Sequence, residues 1–97
     1  MIDFEKAKTI VSEKLLEIQK FSNIKLSIMY EETLEFDFGW IFFYQSEEFV
    51  KTKDPLTMVG GNAPILVDKQ FAIAIPTGTS QDINYYINVY SRFKKEW

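Results

Sequence analysis

Apolar residues at three- and four-residue steps predict a helix at the start of the chain, over about residues 3–20. Charged residues occupy one side of this helix, and its apolar stripe consists of Phe4, Ala7, Val11, Leu15 and Ile18. Asp3 stands immediately before the stripe, where its carboxylate can accept free backbone N–H groups of the first turn. We therefore predict an amphipathic helix capped by Asp3.

Alternation of apolar and polar residues then predicts two strands, over residues 24–30 and about residues 34–45, joined by a turn at Glu31-Glu32-Thr33. The even positions of the second strand form an aromatic ladder of Phe36, Phe38, Trp40, Phe42 and Tyr44. Its odd positions become apolar at Ile41 and Phe43. We expect this apolar half of the outer face to be covered by a loop or exposed to a partner.

Turn residues and a second apolar periodicity organise the rest of the chain. A long connection over residues 46–63 contains Pro55, and connections of this length are often functional or mobile. Strands are predicted over residues 64–69 and 71–76, with a tight turn at Asp68-Lys69-Gln70. A last helix is expected to begin after a cap at Thr79 or Ser80, and its buried stripe consists of Ile83, Tyr86, Ile87 and Tyr90.

The predicted order of elements is α-β-β-β-β-α, which indicates an α+β fold. Short links between the strands favour a four-stranded antiparallel meander sheet with the two helices packed on one face. The 97 residues suffice for one domain, so we expect a single domain over residues 1–97.

Composition excludes several classes of chemistry. The chain has no His and no Cys, which excludes catalytic triads that use those side chains and removes the usual zinc ligands. The net charge of -3 argues against a nucleic-acid partner. Charges near the N-terminus argue against a signal peptide, and no apolar run reaches the roughly 20 residues that cross a bilayer. We expect a cytoplasmic protein that does not engage membranes.

Three patterns are compatible with chemistry, but each has a simpler structural explanation. Carboxylates at Glu31, Glu32, Glu35 and Asp37, or at Glu47 and Glu48, could hold a cation, and Glu35 with Asp37 could serve a carboxylate-only enzyme, but solvated turns and edges explain them. Gly60-Gly61-Asn62 could hold a phosphate, but a strand rather than a helix follows, which favours a shaped turn. The aromatic ladder could stack nucleic-acid bases, but its neighbours are acidic, which favours a core role. We predict no catalytic, cofactor-binding or metal-binding residue.

Three ordered motifs resemble the immunity protein 35 family, which also takes in proteins of the YrhB type. The first is the strand Gly39-Trp40-Ile41-Phe42-Phe43-Tyr44, and the second is Gly61-Asn62-Ala63-Pro64-Ile65-Leu66-Val67-Asp68-Lys69. The third is Gly78-Thr79 followed by Tyr85-Tyr86-Ile87-Asn88-Val89-Tyr90. They occur in the family's order within residues 3–92.

The resemblance implies a non-catalytic bacterial immunity protein that binds and neutralises a cognate toxin, as a monomer or homodimer and without a cofactor. The YrhB type implies an alternative, a chaperone-like holdase that binds exposed apolar segments of client proteins. The motif residues expected to hold the scaffold are Gly39, Trp40, Gly61, Asn62, Pro64, Asp68 and Tyr86. The expected partner contacts are Glu31, Glu32, Glu47, Glu48 and Asp54, chosen for charge complementarity, with Ile41 and Phe43 on the apolar outer face.

Overall fold

The computed structural model describes residues 1–96, so the conformation of Trp97 lies outside the described residues. Three α-helices are present in this part of the chain, α1 (Phe4–Gln19), α2 (Glu47–Thr52) and α3 (Ile83–Glu96). The strands are β1 (Leu26–Ile28), β2 (Leu34–Phe36), β3 (Gly39–Phe42), β4 (Tyr44–Ser46), β5 (Ile65–Asp68) and β6 (Ala74–Pro76). Short 3₁₀ helices span Tyr30–Glu32 and Pro55–Thr57.

The strands form two antiparallel sheets, which confirms the predicted α+β class. One sheet has four strands in the order β2-β3-β5-β6, and the other pairs β1 with β4. The predicted first helix is also confirmed, because the side chain of Asp3 accepts a hydrogen bond from the backbone N–H of Lys6 at 2.8 Å. No helix among residues 1–96 is long and apolar enough to cross a membrane.

The predicted strand over residues 34–45 is in fact three strands. Phe36 pairs with Gly39, so Asp37 and Phe38 form a two-residue hairpin loop between β2 and β3. Gly39 has a φ of +150°, and a Cβ at this position would overlap the carbonyl oxygen of Val67 on β5. Glycine therefore allows the chain to turn and still pair closely with β5.

The two long helices lie on opposite faces of the four-stranded sheet rather than on one face. Residues of α1 pack in one buried cluster with Trp40, Phe42, Ile65 and Val67. Residues of α3 pack in a second cluster that contains Ile41, Leu66, Phe36 and Phe38. The hairpin loop explains part of the difference between the predicted and the observed helix arrangement. It places Phe36 and Phe38 in a different cluster from Trp40 and Phe42. The apolar outer face is thus covered by α3, not by the connection over residues 46–63.

The last helix begins later than predicted. It starts at Ile83, and the side chain of Asp82 accepts a hydrogen bond from the N–H of Asn84 at 2.8 Å. Asp82 therefore caps the helix in place of Thr79 or Ser80. Gly78 lies beneath the ring of Tyr86, where a Cβ would overlap the Tyr86 hydroxyl.

A fully buried carboxylate fastens α3 to the end of β5. Oδ2 of Asp68 accepts a hydrogen bond from the Tyr90 hydroxyl at 2.6 Å and lies 3.1 Å from Nζ of Lys94. Oδ1 accepts the N–H groups of Gln70 and Phe71, both at 2.7 Å. Burial alone would raise the pKa of Asp68, but these hydrogen bonds outweigh it and hold the pKa below its usual range. Burial and the adjacent carboxylate raise the pKa of Tyr90, so its hydroxyl remains a donor.

We expect Asp68→Asn to lower the free energy of unfolding at pH 7 by roughly 2–3 kcal/mol, because Lys94 loses its buried counter-ion. The folded-state pKa of Asp68 is lowered, so its stabilisation is fully present above the unfolded value of about 3.9 and is lost as pH falls through the folded value. Urea unfolding at pH 7 and at pH 3 should show the two proteins converging in acid. The control is Asp37→Asn, which removes an exposed carboxylate in the hairpin loop. An equal difference at both pH values would contradict this account.

Candidate functional site

An open surface groove lies beside α2, and we call it the α2 groove. It has a volume of about 520 Å³ and lies between α2, the second 3₁₀ helix and the residues that precede β1. Its lining consists of Ile24, Lys25, Ser46, Glu47, Glu48, Lys51, Leu56, Thr57, Met58 and Val59.

Apolar side chains in this groove are exposed to solvent. Leu56 has 93% of its surface exposed, Met58 has 51% and Ile24 has 44%. Single exposed apolar residues are common on protein surfaces, but three that line one groove form a patch. Such a patch is typical of a surface that binds another protein.

The buried side chain of Gln45 holds the connection that carries Leu56 and Met58. Its Nε2 donates to the carbonyl oxygen of Val59 at 2.8 Å, and its Oε1 accepts the N–H of Val59 at 2.9 Å. The amide therefore binds both backbone groups of Val59, as a neighbouring strand would. We call this pair of hydrogen bonds the Gln45 clamp.

Ser46 and Asn62 reinforce the clamp from either side. The hydroxyl of Ser46 donates to the carbonyl oxygen of Thr57 at 2.6 Å and accepts the N–H of Phe49 at 3.0 Å, which caps α2. Nδ2 of Asn62 donates to the carbonyl oxygen of Val59 at 2.9 Å. Segment 46–62 is thus fixed by side-chain hydrogen bonds to its backbone, so the exposed side chains of the groove project from an ordered frame.

The charges around the groove are partly paired. Nζ of Lys51 lies 2.7 Å from Oε1 of Glu47, and this hydrogen bond and charge lower the pKa of Glu47. Nζ of Lys53 lies 3.6 Å from Oε1 of Glu31, which connects the end of α2 to the first 3₁₀ helix. Oδ1 of Asp54 accepts the N–H of Leu56 at 3.0 Å.

The structure places two of the five predicted acidic contacts in the groove and a third beside it, and it separates them from the predicted apolar contacts. Glu47 and Glu48 line the groove, and Asp54 adjoins Leu56. Glu31 is paired with Lys53 at the end of α2, and Glu32 is the next residue of the same 3₁₀ helix. We call Glu31, Glu32, Glu47, Glu48 and Asp54 the acidic rim.

The two apolar residues expected to contact a partner are placed differently. Ile41 is fully buried beneath α3, so it has no surface to offer a partner in this fold. Phe43 is half-buried against the same cluster. Sequence alternation marked these residues as apolar on the outer face, but it did not reveal that α3 covers that face.

The motif residues each lie at a structurally demanding position. Trp40 is buried and packs against Phe4, with Nζ of Lys69 at 4.9 Å from the centre of its ring. Gly61 has a φ of +73°, and Asn62 binds Val59 beside it. The carbonyl oxygen of Pro64 accepts both the N–H and the hydroxyl of Thr77, at 2.9 and 2.6 Å. That the motif residues hold the scaffold stays a prediction, and these contacts are where it can be tested.

The other sequence patterns acquire ordinary structural explanations. Glu35 lies 3.0 Å from Nζ of Lys69, and Asp37 is exposed in the hairpin loop. Within residues 1–96, no group of three carboxylates or other ligand side chains lies close enough to hold a metal ion. Trp40, Phe42 and Tyr44 are buried, so they do not form a stacking platform.

The residues of the candidate groove that sequence reasoning missed as site residues are Gln45, Ser46, Leu56 and Met58. Ser46 followed by Glu47 and Glu48 is a helix-start signal that could have located α2. Gln45 gave no such signal, because its partner Val59 lies 14 residues away and only the fold brings them together.

Gln45→Ala should lower the free energy of unfolding by roughly 1–3 kcal/mol, since it leaves the N–H of Val59 without its partner in a partly buried position. Hydrogen exchange should also become faster at the amide of Val59 than in the wild-type protein. Gln81→Ala, at an exposed position, should change neither quantity. Unchanged exchange at Val59 in Gln45→Ala would show that the clamp does not fix the groove.

Gly61→Ala should destabilise the protein by roughly 1 kcal/mol, because a side chain disfavours the positive φ at this position. Gly60→Ala provides the matched control, because a Cβ there would point into open space and its φ lies outside the left-handed region. We expect this neighbour to be neutral or slightly stabilising. Thermal unfolding of both variants measures the difference, and equal losses would refute the conformational explanation.

Comparison with known proteins agrees with the ordered motifs. The family model for Immunity protein 35 matches residues 5–86. A segment of 55 residues is 33% identical to Uncharacterized protein YrhB from Escherichia coli strain K12. This segment is 57% of the present chain and 58% of that protein. The match thus spans little more than half the length of the relative. No solved structure matches the chain. Because the family model extends from α1 into α3 and includes the α2 groove, the chain belongs to the immunity protein 35 family.

Proposed function

We propose that this protein is a non-catalytic immunity protein, which binds a toxin encoded beside it and neutralises that toxin by forming a stoichiometric complex. The observation that carries the proposal is the family match over residues 5–86. In this proposal the protein acts in the cytoplasm, as a monomer or homodimer, and its partner is a protein rather than a nucleic acid or a membrane.

The α2 groove supports a binding function. It combines exposed apolar side chains at Leu56 and Met58 with a backbone that the Gln45 clamp holds in place. A surface that is ordered before binding loses less conformational entropy when the complex forms. Neutralisation by binding needs a stable complex and no catalytic side chain, and the chain has neither His nor Cys.

Glu47, Glu48 and Asp54 are the proposed contacts in and beside the groove, with Glu31 and Glu32 at its acidic rim. We leave Ile41 out of the proposed surface because it is fully buried. Phe43 is half-buried among residues that pack with α3, so we assign it a supporting role in the core.

Co-expression with the product of the adjacent toxin gene tests the proposed function. We expect the cells to survive, and we expect the two proteins to elute together in size-exclusion chromatography at a fixed ratio. Cells that express the toxin with an unrelated small protein provide the control. If the wild-type protein neither protects the cells nor forms the complex, the proposal is wrong.

The chaperone-like alternative rested on the resemblance to YrhB-type proteins and on a possible apolar outer face of the sheet, and α3 covers that face. A holdase would suppress the heat-induced aggregation of several unrelated client proteins. We expect no such suppression by this protein at equimolar concentration. Light scattering measures the aggregation of the client proteins. Suppression of several clients without toxin binding would favour the holdase instead.

A further inference from the structure

We propose that the open edge of β1 pairs with the same edge of a second copy of this chain, so that the protein forms a two-fold symmetric homodimer in solution. Such a contact needs no toxin and goes beyond the proposed function. Its support comes from the main-chain groups of β1, from the side chains beside them and from the charges at the two ends of the strand.

The main-chain groups of Leu26 and Ile28 point away from β4. Lys25 and Met29 each form a main-chain hydrogen bond of 2.8 Å with the chain around β4. Hydrogen-bonded and non-hydrogen-bonded pairs alternate along antiparallel strands, so Leu26 and Ile28 belong to non-hydrogen-bonded pairs. The N–H of Leu26 confirms this direction, because it donates to Oε1 of Gln19 on α1 at 2.8 Å. No other strand within residues 1–96 pairs with this edge.

The edge of β1 also lacks the features that discourage pairing at the other sheet edges of this protein. Edge strands typically avoid unwanted pairing by carrying a charged side chain or a proline, which has no N–H. The edge strand β2 carries Glu35, and the edge strand β6 contains Pro76. The sequence of β1 is Leu26-Ser27-Ile28, with neither a charge nor a proline. Its edge is therefore open to a further strand.

Antiparallel pairing of β1 with its own copy uses these open groups completely. When Leu26 lies opposite Ile28 of the second copy, the two residues can exchange both of their main-chain hydrogen bonds. The two-fold axis then passes beside Ser27, and symmetry repeats the same pair on the other side of the axis. In this arrangement the carbonyl oxygen of Ile28 of the second copy replaces the side chain of Gln19 as the acceptor for the N–H of Leu26.

An exposed leucine lies beside this axis. The Gln19 hydrogen bond ties one end of β1 to α1, and the hydroxyls of Ser12 and Tyr30 lie 3.2 Å apart beyond its other end. Leu16 falls between these two contacts on α1 and lines a groove of about 260 Å³ together with Ser27. It has 60% of its surface exposed, and every side chain that lines the groove is uncharged. The axis therefore brings Leu16 towards its own copy, where both side chains lose contact with water and no like charges meet.

The charges at the two ends of β1 are complementary in this register. Lys25 lies opposite Met29 of the second copy, and the chain continues from Met29 into the 3₁₀ helix that carries Glu31 and Glu32. Each Lys25 is therefore brought to the acidic 3₁₀ helix of the other copy, and symmetry produces this contact twice. No salt bridge within residues 1–96 engages Lys25 or Glu32, so both can pair across the dimer.

Leu16→Lys tests the contact at the axis, because it brings two ammonium groups together from an exposed helix position where lysine is well tolerated. We expect the wild-type protein to have the mass of two chains in analytical ultracentrifugation at high micromolar concentration. The variant should have the mass of one chain, with a dimer dissociation constant raised by about tenfold or more. Val89→Lys makes an equivalent change at an exposed position of α3, and this matched control should remain dimeric.

Lys25→Glu and Glu32→Lys test the charges at the strand ends. Each change alone places like charges opposite each other and should weaken the dimer, whereas the double variant restores opposite charges and should dimerise more tightly than either single variant. Hydrogen exchange provides a readout specific to the strand pairing. The amide of Ile28 should exchange more slowly as the concentration of the wild-type protein rises.

A wild-type protein that stays monomeric at every concentration, or a dimer that persists unchanged in Leu16→Lys, would overturn the inference. Toxin binding by the same samples is measured separately, so either result leaves the proposed function intact. If the protein is a monomer and Leu16→Lys loses toxin binding, the edge serves a strand of the toxin, and the homodimer is again refuted. Thermal unfolding of every variant ensures that folded proteins are compared.

Discussion

The rest of the structure depends on one constraint, the burial of the chain from Gly39 through Ser46. Every residue of this stretch is buried except Phe43, which is half-buried. A strand in this position must satisfy the hydrogen-bonding groups along both of its edges and cover both of its faces. The two long helices cover the faces, and β1 and β2 supply one edge. The second edge is supplied by β5 along β3. Beyond β3, the side chain of Asn62 donates to the carbonyl oxygen of Tyr44 at 3.5 Å, and Oε1 of Gln45 accepts the N–H of Ser46 at 3.1 Å.

The groove follows from the change in pairing along that second edge. Beyond Phe42 the neighbouring backbone is no longer a regular strand but the connection that contains α2 and the second 3₁₀ helix. A side-chain amide can hold such a connection without forcing it to remain flat and extended. The connection is therefore ordered at Val59 and still projects Leu56 and Met58 into solvent. Order and exposure in one segment are the properties that a binding surface requires.

Local patterns in the sequence were sufficient for part of this fold. The first helix, its cap at Asp3 and the strand after Pro64 all depend on residues close together in the chain. The hairpin at Asp37 and Phe38 was missed because apolar alternation continues through the turn at Phe38, although Asp37 is a residue type common in turns. The cap at Asp82 was misplaced because Thr79 offered an equally good local pattern.

The arrangement of the helices and the candidate groove were harder to predict, since both depend on contacts between distant residues. Periodicity identifies the apolar stripe of α3, but it does not say which face of the sheet that stripe covers. The acidic residues of the rim were chosen from the sequence for charge complementarity alone. Their association with Leu56 and Met58 required the fold, because Gln45 and Val59, which hold the connection, lie 14 residues apart in the chain.

The Gln45 clamp separates the identity of the groove side chains from the stability of the fold. Its hydrogen bonds go to the main chain of Val59, and main-chain groups are the same for almost every residue type. The exposed side chains at positions 56 and 58 can therefore be exchanged without disturbing the hydrogen bonds that hold the segment in place. An immunity protein whose toxin diversifies gains from this separation, because new recognition surfaces can evolve on an unchanged framework.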